Sequence, residues 1–201
     1  EVGIREVKAD GFGFDNVGHS SEPEPCHCPD CRSAFREYLK AKYPTDTPAG
    51  RARATERFGF ATLDYIDPPR FNRWNPMVMY RVLRNPVIQE WLEFKCDAVA
   101  KRFEETWRHI KGLKPDMVVE YNVLGDFGCN NAWYGGTDIH RLLPWADAFW
   151  NERSPSWPGW SPGKPFHHRV HPLKLGQAYD AVVFDWHQGS TAEERKLSLA
   201  E

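Results

Sequence analysis

Four acidic residues stand at the polar ends of short apolar runs, where side chains are best placed for chemistry. They are Asp15, Glu120, Glu152 and Asp185. Hydrolysis of a glycosidic bond needs two carboxyl groups, one ionised and one protonated, about 5 to 5.5 Å apart for retention or about 6.5 to 9.5 Å apart for inversion. The repeated position therefore predicts a carboxyl pair that acts on a sugar. Taken singly, each acid could instead cap a helix or fix a loop.

Other polar and aromatic residues follow the same strand ends and predict a site for a carbohydrate. Phe, Trp and Tyr make up 14% of the 201 residues, and several tryptophans lie beside Pro and Gly in expected loops, where a purely structural role is the alternative. An indole ring offers a flat apolar face with one polar N–H. The residues expected to line the substrate site, by position only, are Asn16, Glu120, Asn122, Trp150, Asp185, Trp186 and His187.

A cysteine cluster predicts a structural zinc site. Cys26, Cys28 and Cys31 form a Cys-x-Cys-x-x-Cys array just before an expected helix. Neighbouring thiolates converge readily on a tetrahedral zinc ion, and a thiolate-rich closed site stabilises the fold instead of catalysing a reaction. The fourth ligand stays open among His19, His27 and a cysteine outside this chain. Reduced cysteines without a metal are the alternative, and the unpaired thiols slightly favour a cytoplasmic location.

These residues must be positioned by a succession of βα units. Apolar runs alternate with helical patterns along the chain, and the cysteine cluster follows the first run. Strands are predicted over 10–16, 117–122, 147–152 and 181–186, and helices over about 32–42, 86–111, 138–143 and 166–177, with a last one from about 191. Functional groups of parallel α/β folds gather where the strands end. The pattern therefore predicts four βα units whose polar tips share one edge.

Half of a (β/α)8 barrel is favoured over an open doubly wound sheet. Four units fit either architecture, but the chain has neither a Gly-x-Gly-x-x-Gly turn nor a phosphate loop of the Gly-Lys-Ser/Thr type. The fold class expected is α/β, as part of a TIM barrel. Because both ends fall within expected elements, residues 1–201 are predicted to be the interior of a longer catalytic barrel.

The long helix and the segment before it have contrasting patterns. Apolar residues on the helix are spaced by three and four, from Ile88 through Cys96 to Ile110, with Asn85 as its cap and Gly112 at its end. Cys96 lies on this stripe and is assigned to the core. Residues 44–86 are rich in Pro and Arg and are predicted to be a loop-rich insertion with short helices at about 49–58 and 77–84.

Composition excludes several classes of partner. Lys and Arg number 26 against 28 Asp and Glu, so the formal charge of −2 offers no basic field for nucleic acid. No apolar run approaches the ~18 to 20 residues of a membrane span, and the mean hydropathy is −0.65. Metal-dependent hydrolysis through His167, His168 and His171 is the weaker alternative, since no carboxylate stands at ligand spacing from them.

Two glycosidase families resemble this sequence. The segments that carry the likeness are Asp10–Asn16, Cys26–Cys31 and Phe35–Leu39, and more weakly Leu173–Ala178 and Ala192–Glu194. They resemble hypothetical glycosyl hydrolase family 6, which is related to α-galactosidases and α-fucosidases. The cysteine cluster and the following helix are also similar to family 42 β-galactosidases, whose cysteines bind zinc. The resemblance implies strands four to seven of a (β/α)8 barrel and, in a domain outside this chain, homo-oligomer formation.

The two resemblances imply different catalytic residues. Family 42 enzymes carry an Asn-Glu pair at the end of strand four, where this chain has Asn16-Val17. The other relatives have an Asp nucleophile on that strand, which Asp15 matches. We expect Asp15 as nucleophile and Glu152 as general acid/base of a retaining glycosidase that needs no cofactor for catalysis. The loss of the Glu favours the alternative, a carbohydrate-binding barrel without hydrolase activity.

Overall fold

The computed structural model describes two compact units. Residues 2–15, 18, 26–70, 84–122, 132–151, 170–185 and 192 are described, and for 133, 134, 151, 170–172 and 185 only the backbone. Unit one comprises Glu1–Gly18, Val99–Asn131 and Thr137–Glu201, and unit two comprises His19–Ala98 and Ala132–Gly136. Among the described residues, no helix combines the length and hydropathy that crossing a membrane requires.

In unit one, the described residues form a four-stranded sheet. Its strands are β1 (Gly11–Phe14), β2 (Val118–Tyr121), β3 (Ala148–Asn151) and β4 (Val182–Asp185). All neighbours pair in parallel, in the order β1-β2-β3-β4. Parallel neighbours in sequence order are what consecutive βα units produce. The α/β class and the four predicted strands are confirmed, each two or three residues shorter than expected.

Along the chain, one described helix precedes β1 and the others lie between successive strands. They are α1 (Val2–Arg5), α2 (Pro29–Lys42), α3 (Pro48–Phe58), α4 (Pro86–Leu113), α5 (Ala132–Gly135), α6 (Ile139–Leu142, followed by a 3-10 turn over Leu143–Trp145) and α7 (Val170–Tyr179). The short helices α1 and α5 were not predicted. Helix α4 continues through Gly112, which corrects its expected end. The predicted helices at 77–84 and beyond 191 lie outside the described residues, apart from Arg84 and Ala192.

The core of unit one lies on one face of the sheet. Alternate side chains of a strand point to opposite faces, and Phe12, Val119 and Tyr121 point to the side where Phe103 of α4 packs. The Tyr121 and Phe103 rings stack with centroids 3.9 Å apart. The opposite face carries Gly13 and Glu120, and its apolar members Val118, Val182 and Phe184 are exposed.

Ion pairs fix the amino edge of this sheet. The Asp147 carboxylate accepts a hydrogen bond from the Val119 N–H at 2.8 Å and lies 2.8 Å from Lys111 Nζ. Lys114 Nζ lies 2.6 Å from Asp10 and donates to the Ala9 carbonyl at 3.0 Å. These contacts join the end of α4 to the starts of three strands and hold the strand register at the edge away from the predicted site.

Unit two is held together by an aromatic core and by the buried carboxylate of Glu90. The core contains Phe35 and Leu39 of α2, Ala54 of α3 and Trp91 of α4. Cys28 is the N-cap of α2: its Sγ accepts from the Cys31 N–H, and Pro29 follows in the first turn. Asn85 Oδ1 accepts from the Val87 N–H at 2.9 Å, which confirms the predicted cap of α4. Cys96 is 3% exposed, as expected of a core residue.

Candidate active site

The predicted strand-end residues divide into those the structure describes and those it does not. Asn16, Glu152, Trp186 and His187 lie outside the described residues. For Asp185 only the backbone is described, which ends β4 and pairs with Asn151. Asp15, Glu120, Asn122 and Trp150 are described with their side chains. The predicted pair of Asp15 and Glu152 therefore stays a prediction.

Register brings four residues into one row across the carboxyl edge of the sheet. Asn122 N–H donates to the Phe14 carbonyl at 2.8 Å, which sets Asn122 beside Asp15. Trp150 pairs with Phe184, and extending the β2–β3 register by one residue sets Asn122 beside Trp150. We call this set the outer row; it consists of Asp15, Asn122, Trp150 and Phe184. All four share the parity of Gly13 and Glu120 and so belong to the face opposite the core.

Side chains of the outer row differ in polarity from one end to the other. Asp15 is exposed, and Asn122 Oδ1 is buried without a hydrogen-bond partner among the described residues. The Trp150 and Phe184 rings lie 5.4 Å apart between centroids, at an interplanar angle of 34°. A carboxylate and an amide next to an aromatic pair suit a ligand with hydroxyl groups on an apolar ring.

Glu120 lies nearer the amino ends of the strands than its sequence pattern suggested. It is the third of four residues of β2 and pairs with Gly13 and Ala148. It therefore belongs to an inner row, made up of Gly13, Glu120, Ala148 and Val182, which lies one layer below the outer row. This corrects the expectation that Glu120 stands at a strand end with Asp15, because a strand's sequence does not reveal where its neighbours stop.

Gly13 was missed by sequence reasoning, although it shapes this site. A Cβ on residue 13 would collide with the Glu120 carboxylate oxygen Oε2, so a larger residue there would force the Glu120 side chain to shift. The other carboxylate oxygen, Oε1, is buried. The signal was the Gly11-Phe12-Gly13-Phe14 alternation, which places two glycines on one face of β1. Only the β1–β2 register shows which of them faces an acid.

The cysteine cluster has the composition and closeness of a metal site. Cys26, Cys28 and Cys31 each offer one Sγ, and the three sulfur atoms lie within 4.8 Å of one another. The Cys31 N–H hydrogen bond lowers the pKa of Cys28, whereas burial, followed by the neighbouring thiols, raises the pKa of Cys31 to about 12. A divalent cation would stabilise all three as thiolates. His27 Nδ1 is buried without a hydrogen-bond partner among the described residues.

Comparison with known families shows which family the chain belongs to. The sequence profile of glycosyl hydrolase family 42, described as beta-galactosidase, matches residues 12–172. The chain belongs to glycosyl hydrolase family 42. This confirms the resemblance to family 42 and the expected class of glycosidases, whereas the resemblance to hypothetical family 6 is not confirmed. The family 42 match includes β1 from Phe12 onward, the cysteine cluster and the outer-row residues up to Trp150.

Curated relatives of this family 42 chain are beta-galactosidases. BglY of Alicyclobacillus acidocaldarius is 29% identical over 120 residues, 60% of this chain and 17% of that protein. BgaB of a Geobacillus strain is 28% identical over 116 residues, 56% of this chain and 16% of that one. Bga of Halorubrum lacusprofundi is 25% identical over 140 residues, which is 66% of this chain and 18% of that protein. The chain spans about one sixth of the length of these curated relatives.

A solved structure shares the fold. The crystal structure of beta-galactosidase from Bacillus circulans sp. alkalophilus matches 96% of this chain and 33% of that one, with a TM-score of 0.50 and 18% identity. Together with the parallel sheet, this likeness supports the barrel prediction over the open sheet. That the four strands are the fourth to seventh of the barrel stays a prediction.

Proposed function

We propose that the full-length protein is a glycosidase that hydrolyses β-galactosides and that the outer row is part of its sugar site. The observation that carries the proposal is the family 42 match over residues 12–172, which includes Asp15, Asn122 and Trp150. The polar end of the row would bind sugar hydroxyl groups, and the Trp150–Phe184 pair would pack against the apolar face of the sugar ring.

The proposed chemistry is retaining hydrolysis. A carboxylate oxygen of Asp15 attacks the anomeric carbon while the bond to the leaving oxygen breaks, and Glu152 gives that oxygen a proton. Water then releases the sugar from Asp15, with Glu152 accepting the proton of the water. Support for Asp15 comes from its exposure at the carboxyl edge and from Asn122 beside it. Glu152 rests on its place two residues after Trp150 in the sequence.

Replacing the nucleophile tests this assignment. In the full-length protein, Asp15→Asn should lower kcat/KM for an aryl β-galactoside by at least about a thousandfold, because the amide cannot form the glycosyl ester. The matched control is Asp10→Asn, at the amino end of the same strand, where Asp10 pairs with Lys114. Equal activity of the Asp15→Asn and native proteins would exclude Asp15 as nucleophile.

A second candidate function is carbohydrate binding without hydrolysis. Asn16-Val17 stands where the resemblance to family 42 implies an Asn-Glu pair, so the side chain of residue 17 cannot supply a proton. A full-length protein that binds galactose by calorimetry but turns over neither lactose nor aryl galactosides would favour this candidate. Turnover that depends on Asp15 would exclude it.

We also propose that Cys26, Cys28 and Cys31 hold a structural zinc ion. The thiolate donor set and the closeness of the sulfur atoms support it. The ion would fix the start of α2, because Cys28 is also the cap of that helix. Elemental analysis of the full-length protein should find about one zinc per chain, lost in Cys28→Ala and kept in the control Cys96→Ala. Native protein purified with zinc present but containing none would contradict the proposal.

A further inference from the structure

One face of helix α2 in unit two forms a polar groove. The groove has a volume of about 460 Å³, and the described residues that line it are Pro29, Arg32, Ser33, Arg36, Glu37 and Lys40. Small-molecule sites in proteins measure about 300 to 1,000 Å³, so the groove is large enough for a single sugar. Because charged and hydroxyl groups dominate this described lining, the groove suits a polar ligand.

Two of the three cations in the groove have a carboxylate partner. Arg32, Arg36 and Lys40 follow one another at intervals of about one helical turn. Arg36 Nη2 lies 2.6 Å from Asp67 Oδ1, and Lys40 Nζ lies 3.2 Å from Asp64 Oδ1. Each of these two cations is thus neutralised by an acid of the segment after α3.

Arg32 is the cation that lacks such a partner. Within the part of the chain that the structure describes, Arg32 stands in no ion pair, and its Nε is buried without a hydrogen-bond acceptor. The acids that pair with the other two cations, Asp64 and Asp67, are three residues apart, and the next residue at this spacing is Arg70. The series therefore supplies no third acid. A buried donor without an acceptor is costly, and a ligand or an ordered water would relieve that cost.

The other rim of the groove suits hydroxyl groups. Ser33 Oγ donates to Glu37 Oε1 at 3.4 Å. Arg32 and Glu37 are five residues apart, which sets them about 140° apart around the helix axis. The oxygen atoms of Ser33 and Glu37 can accept hydrogen bonds from hydroxyl groups of a ligand, whereas the charge of Glu37 would repel an anionic group. The groove therefore has one rim for an anion and one for hydroxyl groups.

We propose that the groove on α2 binds a sugar acid, that is, a sugar with one carboxylate. The Arg32 guanidinium holds the carboxylate through charge-assisted hydrogen bonds, and Ser33 and Glu37 bind hydroxyl groups. One positive charge without a partner matches one carboxylate better than a doubly charged phosphate. The groove belongs to unit two and the outer row to unit one, so this proposal does not rest on the proposed glycosidase function.

Calorimetry of the full-length protein with D-galacturonate, in excess galactose to occupy the outer row, tests the site. Native protein should bind galacturonate, and Arg32→Gln should weaken binding by at least about tenfold, because a hydrogen-bonded charge pair is lost. The control Arg102→Gln, which changes an exposed arginine of α4 outside the groove, should bind as tightly as native protein. Native protein that does not bind galacturonate, or an affinity unchanged by Arg32→Gln, would overturn the proposal.

Acetate and inorganic phosphate distinguish a sugar-acid site from a site for any anion. Both lack the hydroxyl groups of a sugar and should bind at least about tenfold more weakly than galacturonate, because the contacts with Ser33 and Glu37 are missing. Ser33→Ala should weaken galacturonate binding about threefold and leave acetate binding unchanged. Equal affinities for acetate, phosphate and galacturonate would contradict the proposed hydroxyl-binding rim.

Melting temperatures distinguish a ligand-binding arginine from a structural one. Arg36→Gln should lower the melting temperature, because it breaks the pair with Asp67 and the hydrogen bond to the Ile66 carbonyl at 3.3 Å. Arg32→Gln should leave it unchanged without ligand, since no acceptor in the described part of the chain loses a donor. Arg32 directly follows Cys31, so the zinc content of both variants would also be measured. A loss of stability or zinc in Arg32→Gln with unchanged galacturonate affinity would assign Arg32 to the fold or the cysteine cluster and overturn the proposal.

Discussion

The two units of this chain place carboxylates in opposite environments. In unit two, Glu90 is 2% exposed and accepts hydrogen bonds from Tyr38, Tyr43, Lys42 and Arg57, at 2.7 to 3.1 Å. In unit one, Asp15 is exposed at the edge of a sheet. A carboxylate held by four donors among packed helices is fixed in position and charge, whereas an exposed carboxylate at a strand end can be reached by a ligand. The comparison teaches that the two acids differ first in where the fold places them, one between helices and the other at the carboxyl edge of the sheet.

The pKa of Glu90 follows from its surroundings. Burial alone would raise it, but the hydrogen bonds from Lys42, Tyr43 and Tyr38 and the charge of Lys42 lower it below the ordinary value. Burial also raises the pKa of Tyr38 and Tyr43, with the Glu90 charge adding to the effect. The group thus stays ionised, joining α2 and α3 to α4.

The largest loss of stability is expected from removing the Glu90 carboxylate. Glu90→Ala should destabilise unit two by about 3 kcal/mol, because Tyr43 loses a buried acceptor and two cations lose their partner. Both cations are about one third exposed and can be hydrated, which limits the cost. Hydrogen exchange of peptides from α2 and α3 would measure this loss of stability.

The control for Glu90 is an exposed ion pair on the same helix. Glu104→Gln removes a carboxylate that accepts from Arg108 at 2.9 Å, one turn away on α4, and should cost less than about 0.5 kcal/mol. Similar losses of protection in the two variants would mean that Glu90 is no more important than a surface acid.

A smaller effect is expected in the outer row, which the proposed function assigns to the sugar site. Trp150→Ala should raise KM for a galactoside about tenfold with little change in kcat, because a stacking surface for the sugar is lost in the ground state and transition state alike. Trp150→Phe should restore most of the affinity. Calorimetry with galactose and steady-state kinetics would measure both, and a purely kcat effect would argue against a stacking role.

The smallest change in stability is expected from a change in pH. Because the pKa of Glu90 is lower in the folded protein, its stabilising effect is fully present above the ordinary value of 4.5 and is lost as pH falls through the folded value. The difference in melting temperature between native and Glu90→Gln proteins should therefore be constant from pH 7 to about pH 5 and shrink below. A difference that grows on acidification would contradict the lowered pKa.

Local patterns predicted most of the elements. The apolar stripe of α4 has Cys96, Phe103 and Ile110 buried, as its spacing of three and four residues required. The strand around Phe12 and the strand around Val119 were recognisable because their apolar residues are consecutive or alternate. Such signals depend only on residues within a few positions of one another, which is why helix α2 was predicted with its correct end at Lys42 and a start only three residues late.

The sequence by itself determined the βα succession, the closeness of the three cysteines and the presence of acids near strand ends. Only the tertiary structure decided that Asp15 neighbours Asn122, that Glu120 stands one row lower against Gly13, and that Glu90 gathers donors from two other helices. The physical reason is that periodicity is a local property, whereas strand register and contacts between helices depend on how distant segments pack. Shifting a register by one residue would exchange the faces of a whole strand.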